Sequence, residues 1–156
     1  MNIIAKFLAS GFGSGYFPVG PGTAGSVVAS VLIYSYHFHQ SPSMSNMAVA
    51  LIIATIISTV IGVWACGVVA GEWGEDPSKV VIDEMAGIFI AFIYIPFSIS
   101  NLVISLVLFR IFDIWKPLWI RKAEAMHGGV GVMADDLLAG IVANIILQIL
   151  IYFSLT

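Results

Sequence analysis

The chain has 156 residues, of which 60% are hydrophobic and 10% charged, with a mean hydropathy of +1.03. Soluble domains carry about 25% charged residues, so this composition predicts a membrane protein with one domain, residues 1–156. The net charge of −3 without a basic run argues against nucleic-acid binding. A single cysteine, Cys66, excludes an internal disulfide and a cysteine-rich zinc site.

Apolar runs alternate with polar segments along the whole chain, and a Gly- and Pro-rich loop at residues 10–26 leads into the first run. Thr23 or Ser26 can cap the helix that follows this loop. Four apolar runs are predicted as helical, at about residues 24–36, 47–71, 85–109 and 137–155. The second run exceeds the roughly 20 residues that a membrane-spanning helix needs. The sequence therefore predicts an all-α membrane bundle.

The third apolar run is interrupted by Pro96, which removes a helix hydrogen bond and clashes with the preceding turn. We therefore expect a hairpin over residues 85–109, either extended into its polar flanks or forming a shallow re-entrant pair. This gives a compact multi-pass bundle of four or five hydrophobic segments. A single crossing, the alternative, would put residues 110–136 on the opposite side from residues 72–84. Only the hairpin places all six Lys and Arg residues on one side, as the positive-inside rule favours.

Charge is concentrated between Phe109 and Gly140, which hold four of the six basic and four of the nine acidic residues. A solvated loop between apolar helices would explain this density. The alternative is a polar site that binds an anion and a metal at a membrane surface. Arg110 and Asp113 are three residues apart, so they share one helix face and can form an ion pair. Lys116 precedes Pro117, and we expect the helix to end there.

Two pairs of adjacent acids each stand at the start of an apolar run. Asp83 and Glu84 could interact with a helix dipole, and Asp135 and Asp136 could be a helix cap and a first-turn acid. Ionisable groups that enter a membrane segment are costly unless they are paired or functional. Together with Asp113, the two pairs could instead form a Mg²⁺ site, because this ion prefers carboxylate oxygens and bound phosphate.

Five motifs in order, GFGSG, PGTAGS, VVIDE, FRIFDIWKP and HGGVGVMADDLLAG, resemble the phosphatidylglycerophosphatase A family over about residues 11–140. The resemblance implies a Mg²⁺-dependent lipid phosphatase of the bacterial inner membrane, which converts phosphatidylglycerophosphate to phosphatidylglycerol. The apolar runs fit the membrane branch of that family rather than its soluble all-helical branch. Ile82 stands where some members carry Trp, and no charged position of the motifs departs from the pattern.

The site that we expect faces the cytoplasm and contacts the lipid substrate and the bilayer. Mg²⁺ would be held by Asp83, Glu84, Asp135 and Asp136. Catalytic groups would be Asp113 as ligand or base, Arg110 and Lys116 as phosphate-holding cations, and His127 as a hydrogen-bonding group. Further phosphate contacts would come from Thr23, Gly25 and Ser26, at a helix start where free amides attract anions. The rival hypothesis is a small membrane transporter or interaction subunit whose charged loops serve only topology.

Overall fold

The computed structural model describes residues 2–74, 77–124, 126 and 128–154, and all regular secondary structure in these ranges is helical. The predicted all-α fold is confirmed. The α-helices of the described ranges are α1 (Ile3–Ala9), α2 (Pro21–Gln40), α3 (Met44–Trp73), α4 (Ile82–Ala91), α5 (Ile99–Trp115), α6 (Leu118–Glu124) and α7 (Gly129–Ser154). A short 3₁₀ turn, Ser14–Tyr16, lies between α1 and α2.

The first long helix, α2, begins earlier than the sequence suggested. Gly20 adopts the left-handed conformation (φ 65°) at the N-cap, and Pro21 is the first helical residue. Proline suits this position because its fixed φ is helical and its missing N–H would be unpaired there. The expectation that Thr23 or Ser26 caps the helix is therefore wrong, since both lie inside α2.

The predicted break in the third apolar run is confirmed: α4 ends at Ala91 and α5 begins at Ile99. Arg110, near the end of α5, lies 3.6 Å from Glu84 at the start of α4, so the two helices run antiparallel. The Asn144 side chain of α7 donates hydrogen bonds to the carbonyl oxygens of Ala91 (3.1 Å) and Ile93 (2.8 Å). These bonds pair carbonyls at the end of α4 that the helix itself leaves unpaired.

The short helix α4 lies at the centre of the bundle, and eight of its ten residues are buried. It packs against α2, α3, α5 and α7. At Gly87 and Gly140 the backbones of α4 and α7 touch, because a Cβ on Gly140 would overlap the Gly87 carbonyl oxygen. This close contact brings the first turn of α4 beside the second turn of α7.

Two helices of the described chain, α3 and residues Gly129–Phe153 of α7, are long and apolar enough to cross a membrane. Only 28% of the most apolar window of each is buried inside the protein. Their outward apolar surface is consistent with a membrane protein. The expected four or five hydrophobic segments are not confirmed. With ten residues, α4 extends only about 15 Å, half of a bilayer core.

Candidate active site

A cavity of about 520 Å³ lies where the starts of α2, α4 and α7 meet the end of α5. Its charged lining residues are Asp83, Glu84, Arg110, Asp113, Lys116, Asp135 and Asp136. Five carboxylates thus face two cations, whereas Arg121 and Lys122 on α6 are exposed. Most of the charged residues between positions 109 and 140 therefore line a cavity. The exposed Arg121 and Lys122 fit the alternative prediction of a solvated segment.

Three carboxylates form the centre of this cavity. One oxygen each of Asp83, Glu84 and Asp136 lies within 4.8 Å of the other two. Asp83 Oδ1 and Glu84 Oε2 are buried and have no hydrogen-bond partner among the described residues. Burial raises the pKa of the Asp83 carboxyl. The pKa of Glu84 is raised well above its usual range, mainly by burial and secondly by the negative charge of the neighbouring Asp83. A divalent cation would satisfy these oxygens, so the residues fit the predicted metal.

The fourth predicted metal ligand, Asp135, is directed elsewhere. Its Oδ2 accepts a hydrogen bond from Lys116 Nζ at 2.6 Å, and its Oδ1 is buried without a partner in the described chain. Among the described residues, Asp136 belongs to the three-carboxylate group and Asp135 does not. The role of Asp135 as a metal ligand stays a prediction. Helix α7 begins at Gly129, and the alternative that this acidic pair caps the helix is wrong.

The guanidinium of Arg110 connects two of the predicted functions. Its Nη1 donates to Asp113 Oδ2, which confirms the expected ion pair, and it also faces Glu84 Oε1 at 3.6 Å. The Nε atom is buried and has no acceptor among the described residues. Arg110 therefore lies beside the three-carboxylate cluster, and it is one of the two cations that line the cavity in the described chain.

Lys116 ends α5, as its position before Pro117 predicted. It adopts the left-handed conformation (φ 43°), and its backbone N–H donates to the Phe112 carbonyl at 2.9 Å. This conformation is uncommon for residues other than glycine, asparagine and aspartate. In this backbone conformation, the Lys116 side chain forms an ion pair with Asp135 across the cavity. Strained backbone of this kind is concentrated at functional sites.

The start of α2 supplies the uncharged wall of the cavity through Gly20, Pro21 and Gly22. A Cβ on Gly22 would overlap Glu84 Oε1 and lie 2.9 Å from Arg110 Nη1, so the backbone approaches both charged groups closely. The sequence analysis missed these three residues. The GPG sequence ahead of TAGS is the signal that could have identified them, because it predicts a turn that leads into a helix.

The three residues predicted to bind phosphate through this helix start, Thr23, Gly25 and Ser26, are placed differently. Thr23 is exposed, Gly25 packs against Val81, and the Ser26 hydroxyl donates to the Gly22 carbonyl at 2.8 Å. In the described chain, none of these three residues belongs to the lining of the cavity. Their role in phosphate binding stays a prediction. His127, predicted as a catalytic group, lies outside the described residues.

An all-helical fold that brings carboxylates and cations into one cavity fits a hydrolase that acts on phosphate esters. The sequence model of the phosphatidylglycerophosphatase A family matches residues 7–151, and the chain belongs to this family. It is therefore a phosphatase, as the resemblance implied. The rival hypothesis of a transporter or interaction subunit finds no support in these matches.

The chain is similar to proteins from three bacteria. It is 36% identical to phosphatidylglycerophosphatase A of Escherichia coli K12 over 87% of this chain and 77% of that protein. The Haemophilus influenzae protein of the same name is 35% identical over 95% and 89%. A Bacteroides thetaiotaomicron protein with the name "Putative phosphatidylinositol-3-phosphatase" is 40% identical over 95% and 94%. No solved structure matches the chain.

Proposed function

We propose that the chain removes the terminal phosphate of phosphatidylglycerophosphate and so makes phosphatidylglycerol. Family membership supports the reaction, and two relatives carry the corresponding name. The observation that carries the assignment to this cavity is the group formed by Asp83, Glu84 and Asp136 beside Arg110. A phosphate monoester needs both positive charge and an ordered set of ligands at its oxygens, and this cavity supplies residues for both.

Mg²⁺ is the cofactor of this proposal, with Asp83, Glu84 and Asp136 as its protein ligands. When bound, the ion would supply positive charge against the phosphate oxygens and the leaving group. Three ligands from the chain leave room for oxygens of water and substrate, as Mg²⁺ usually retains. Asp135 lies in the same cavity but serves Lys116 instead, so we assign three carboxylates to the ion rather than the four expected from the sequence.

The chain's own residues divide the remaining work. Arg110 would bind the phosphate through its unpaired Nε–H, while Asp113 holds its guanidinium in place. Asp113 would also accept the proton of the attacking water. Lys116, oriented by Asp135, would provide the second positive charge and stabilise the leaving glycerol oxygen. Hydrolysis moves the water oxygen to phosphorus, breaks the P–O bond to glycerol and returns a proton to the leaving oxygen.

The same proposal places the enzyme in the bacterial inner membrane with the cavity facing the cytoplasm. The apolar surfaces of α3 and α7 support the membrane, and the proposed substrate is itself a membrane lipid. All six Lys and Arg residues belong to segments at the cavity end of the bundle or flanking it, which agrees with the positive-inside rule.

Phosphate release from phosphatidylglycerophosphate in detergent micelles tests the proposal. Activity should disappear in EDTA and return with Mg²⁺, and Glu84→Gln should lower kcat by about a hundredfold or more. The matched control is Glu72→Gln, since Glu72 pairs with Lys6 at the end of α3, away from the cavity. Full activity in EDTA, or an equal loss in both variants, would contradict the proposed metal role.

Phosphatidylinositol 3-phosphate belongs in the same assay because the Bacteroides relative is named for it. Both lipids present a phosphate monoester on a polyol headgroup, so the charged residues alone do not separate them. We expect a higher kcat/KM for phosphatidylglycerophosphate. A clear preference for the inositol lipid would overturn the substrate while leaving the phosphatase chemistry in place.

A further inference from the structure

An apolar groove of about 230 Å³ opens on the side of the bundle between α2 and α3. Both helices pack against α4, but neither packs extensively against the other, so a gap remains above α4. Its floor consists of four side chains that are less than 8% exposed: Ile33, Met47, Leu51 and Phe89. Leu32 and Tyr36 form its exposed edge, and no charged residue lines it in the described chain.

The position of the groove relative to the polar cavity follows from three helices. On α2, Leu32 is ten residues beyond Gly22, a rise of about 15 Å. On α4, Phe89 is six residues beyond Asp83, or about 9 Å. On α3, Ala54 is eight residues, about 12 Å, from Gly62. Gly62 is at the level of the cavity, because a Cβ at this position would contact Ile82, the residue before Asp83.

All three helices place the groove about 9–15 Å below the charged cavity along the helix axes. One leaflet of a bilayer contributes about 15 Å to the hydrocarbon core. A lipid with its headgroup phosphate in the cavity therefore has its acyl chains at the depth of the groove. We propose that the groove binds an acyl chain of the lipid substrate. This proposal rests on the proposed function and adds to it the place where an acyl chain of the substrate binds.

An acyl chain fits the groove better than a protein segment or a polar ligand. The lining offers aliphatic and aromatic carbon together with one phenol, so a polar ligand would leave its hydrogen-bonding groups unpaired. The volume is too small for another helix, whose diameter is about 10 Å. An alkyl chain needs no hydrogen bonds, and each methylene moved into the groove gains packing against the side chains of α2, α3 and α4.

The experiment fills the groove and compares a long-chain substrate with a short-chain substrate that has the same headgroup. Ala50→Phe and Ala54→Phe each add a ring to the groove, whereas Val49→Phe adds the same ring on the exposed face of α3. Purified variants are assayed with Mg²⁺ in one detergent on dioleoyl and on dihexanoyl phosphatidylglycerophosphate. The ratio of kcat/KM for the long over the short substrate should fall about tenfold in the groove variants, mainly through KM.

Val49→Phe should keep the wild-type ratio. An unchanged ratio in both groove variants, or an equal fall in all three, would overturn the proposal, because lipid contact would then be unspecific. Ala54→Val serves if a phenylalanine variant fails to fold, with a smaller fall expected. If the wild-type enzyme hydrolyses neither substrate, the proposed function is refuted. This outcome differs from failure of the acyl-chain proposal, in which the wild-type enzyme is active and the groove variants keep its substrate ratio.

Discussion

Replacing Asp136 and Asp135 one at a time by Asn should change stability in opposite directions. Asp136 belongs to the three-carboxylate group, and Asp135 is paired with Lys116. Asparagine has nearly the shape of aspartate but no charge. Asp136→Asn therefore removes repulsion from the metal-free protein and a ligand from the metal-bound protein. Asp135→Asn removes one ion-pair partner of the partly buried Lys116 ammonium and leaves the proposed ligands intact.

The separations in the cavity set the size of these effects. Two unit charges 4.8 Å apart repel by about 3.5 kcal/mol at an effective dielectric constant of about 20. Because the raised pKa values of Asp83 and Glu84 let this group retain protons, we expect Asp136→Asn to stabilise the metal-free protein by only about 1–3 kcal/mol. Asp135→Asn should destabilise it by about 1–3 kcal/mol, since the partly buried Lys116 ammonium loses a charge-assisted hydrogen bond.

Thermal unfolding in detergent, followed by tryptophan fluorescence with EDTA or Mg²⁺, measures both effects. Mg²⁺ at about 100 times its Kd should stabilise the wild-type protein by about 2.7 kcal/mol. Asp135→Asn should keep most of this response, and Asp136→Asn should lose it together with phosphate release. A normal Mg²⁺ response in Asp136→Asn would refute the ligand assignment. Equal destabilisation of the metal-free protein by both variants would refute the electrostatic reasoning.

Two further predictions concern topology and the wall of the cavity. Reporters fused near Glu75 and near Glu124 should both report the cytoplasm, and opposite locations would contradict the shared cytoplasmic face. Gly22→Ala should lower kcat/KM by at least about tenfold, because its methyl group displaces the Glu84 carboxylate. Gly67→Ala, a helical glycine whose Cβ meets nothing within 4 Å, should keep normal activity, and a similar loss there would contradict this explanation.

The sequence predicted the helices well where proline or a strong polar segment interrupts an apolar run. Pro96 identified the break between α4 and α5, and Pro117 the end of α5. The start of α7 was missed, because Gly129 and Gly131 are poor helix formers and resemble a loop. In the structure Gly129 packs against the Val63 carbonyl, a contact that a Cβ would prevent. Tertiary packing thus determines this helix start, and local propensity does not.

For the site, the sequence predicted which segments meet but not which side chains face each other. The hairpin brings Asp83 and Glu84 to α7, as expected, yet Asp135 and Asp136 separate there. The reason is the ion pair of Asp135 with Lys116, which depends on how the end of α5 packs against α7 and which residue identity alone does not determine. Adjacent residues also differ on α2, where Gly22 lines the cavity and the next residue, Thr23, is exposed.

The pairing of Asn144 with the end of α4 has a consequence for biosynthesis. Inside a bilayer, a helix that stops halfway across leaves carbonyl groups without water, and each unpaired group costs several kcal/mol. The donor for Ala91 and Ile93 belongs to α7, which leaves the ribosome after α4. With the membrane placement proposed above, α4 would reach its final depth only after α7 has been made. A nascent chain that ends before Asn144 would lack the donor for both carbonyl groups.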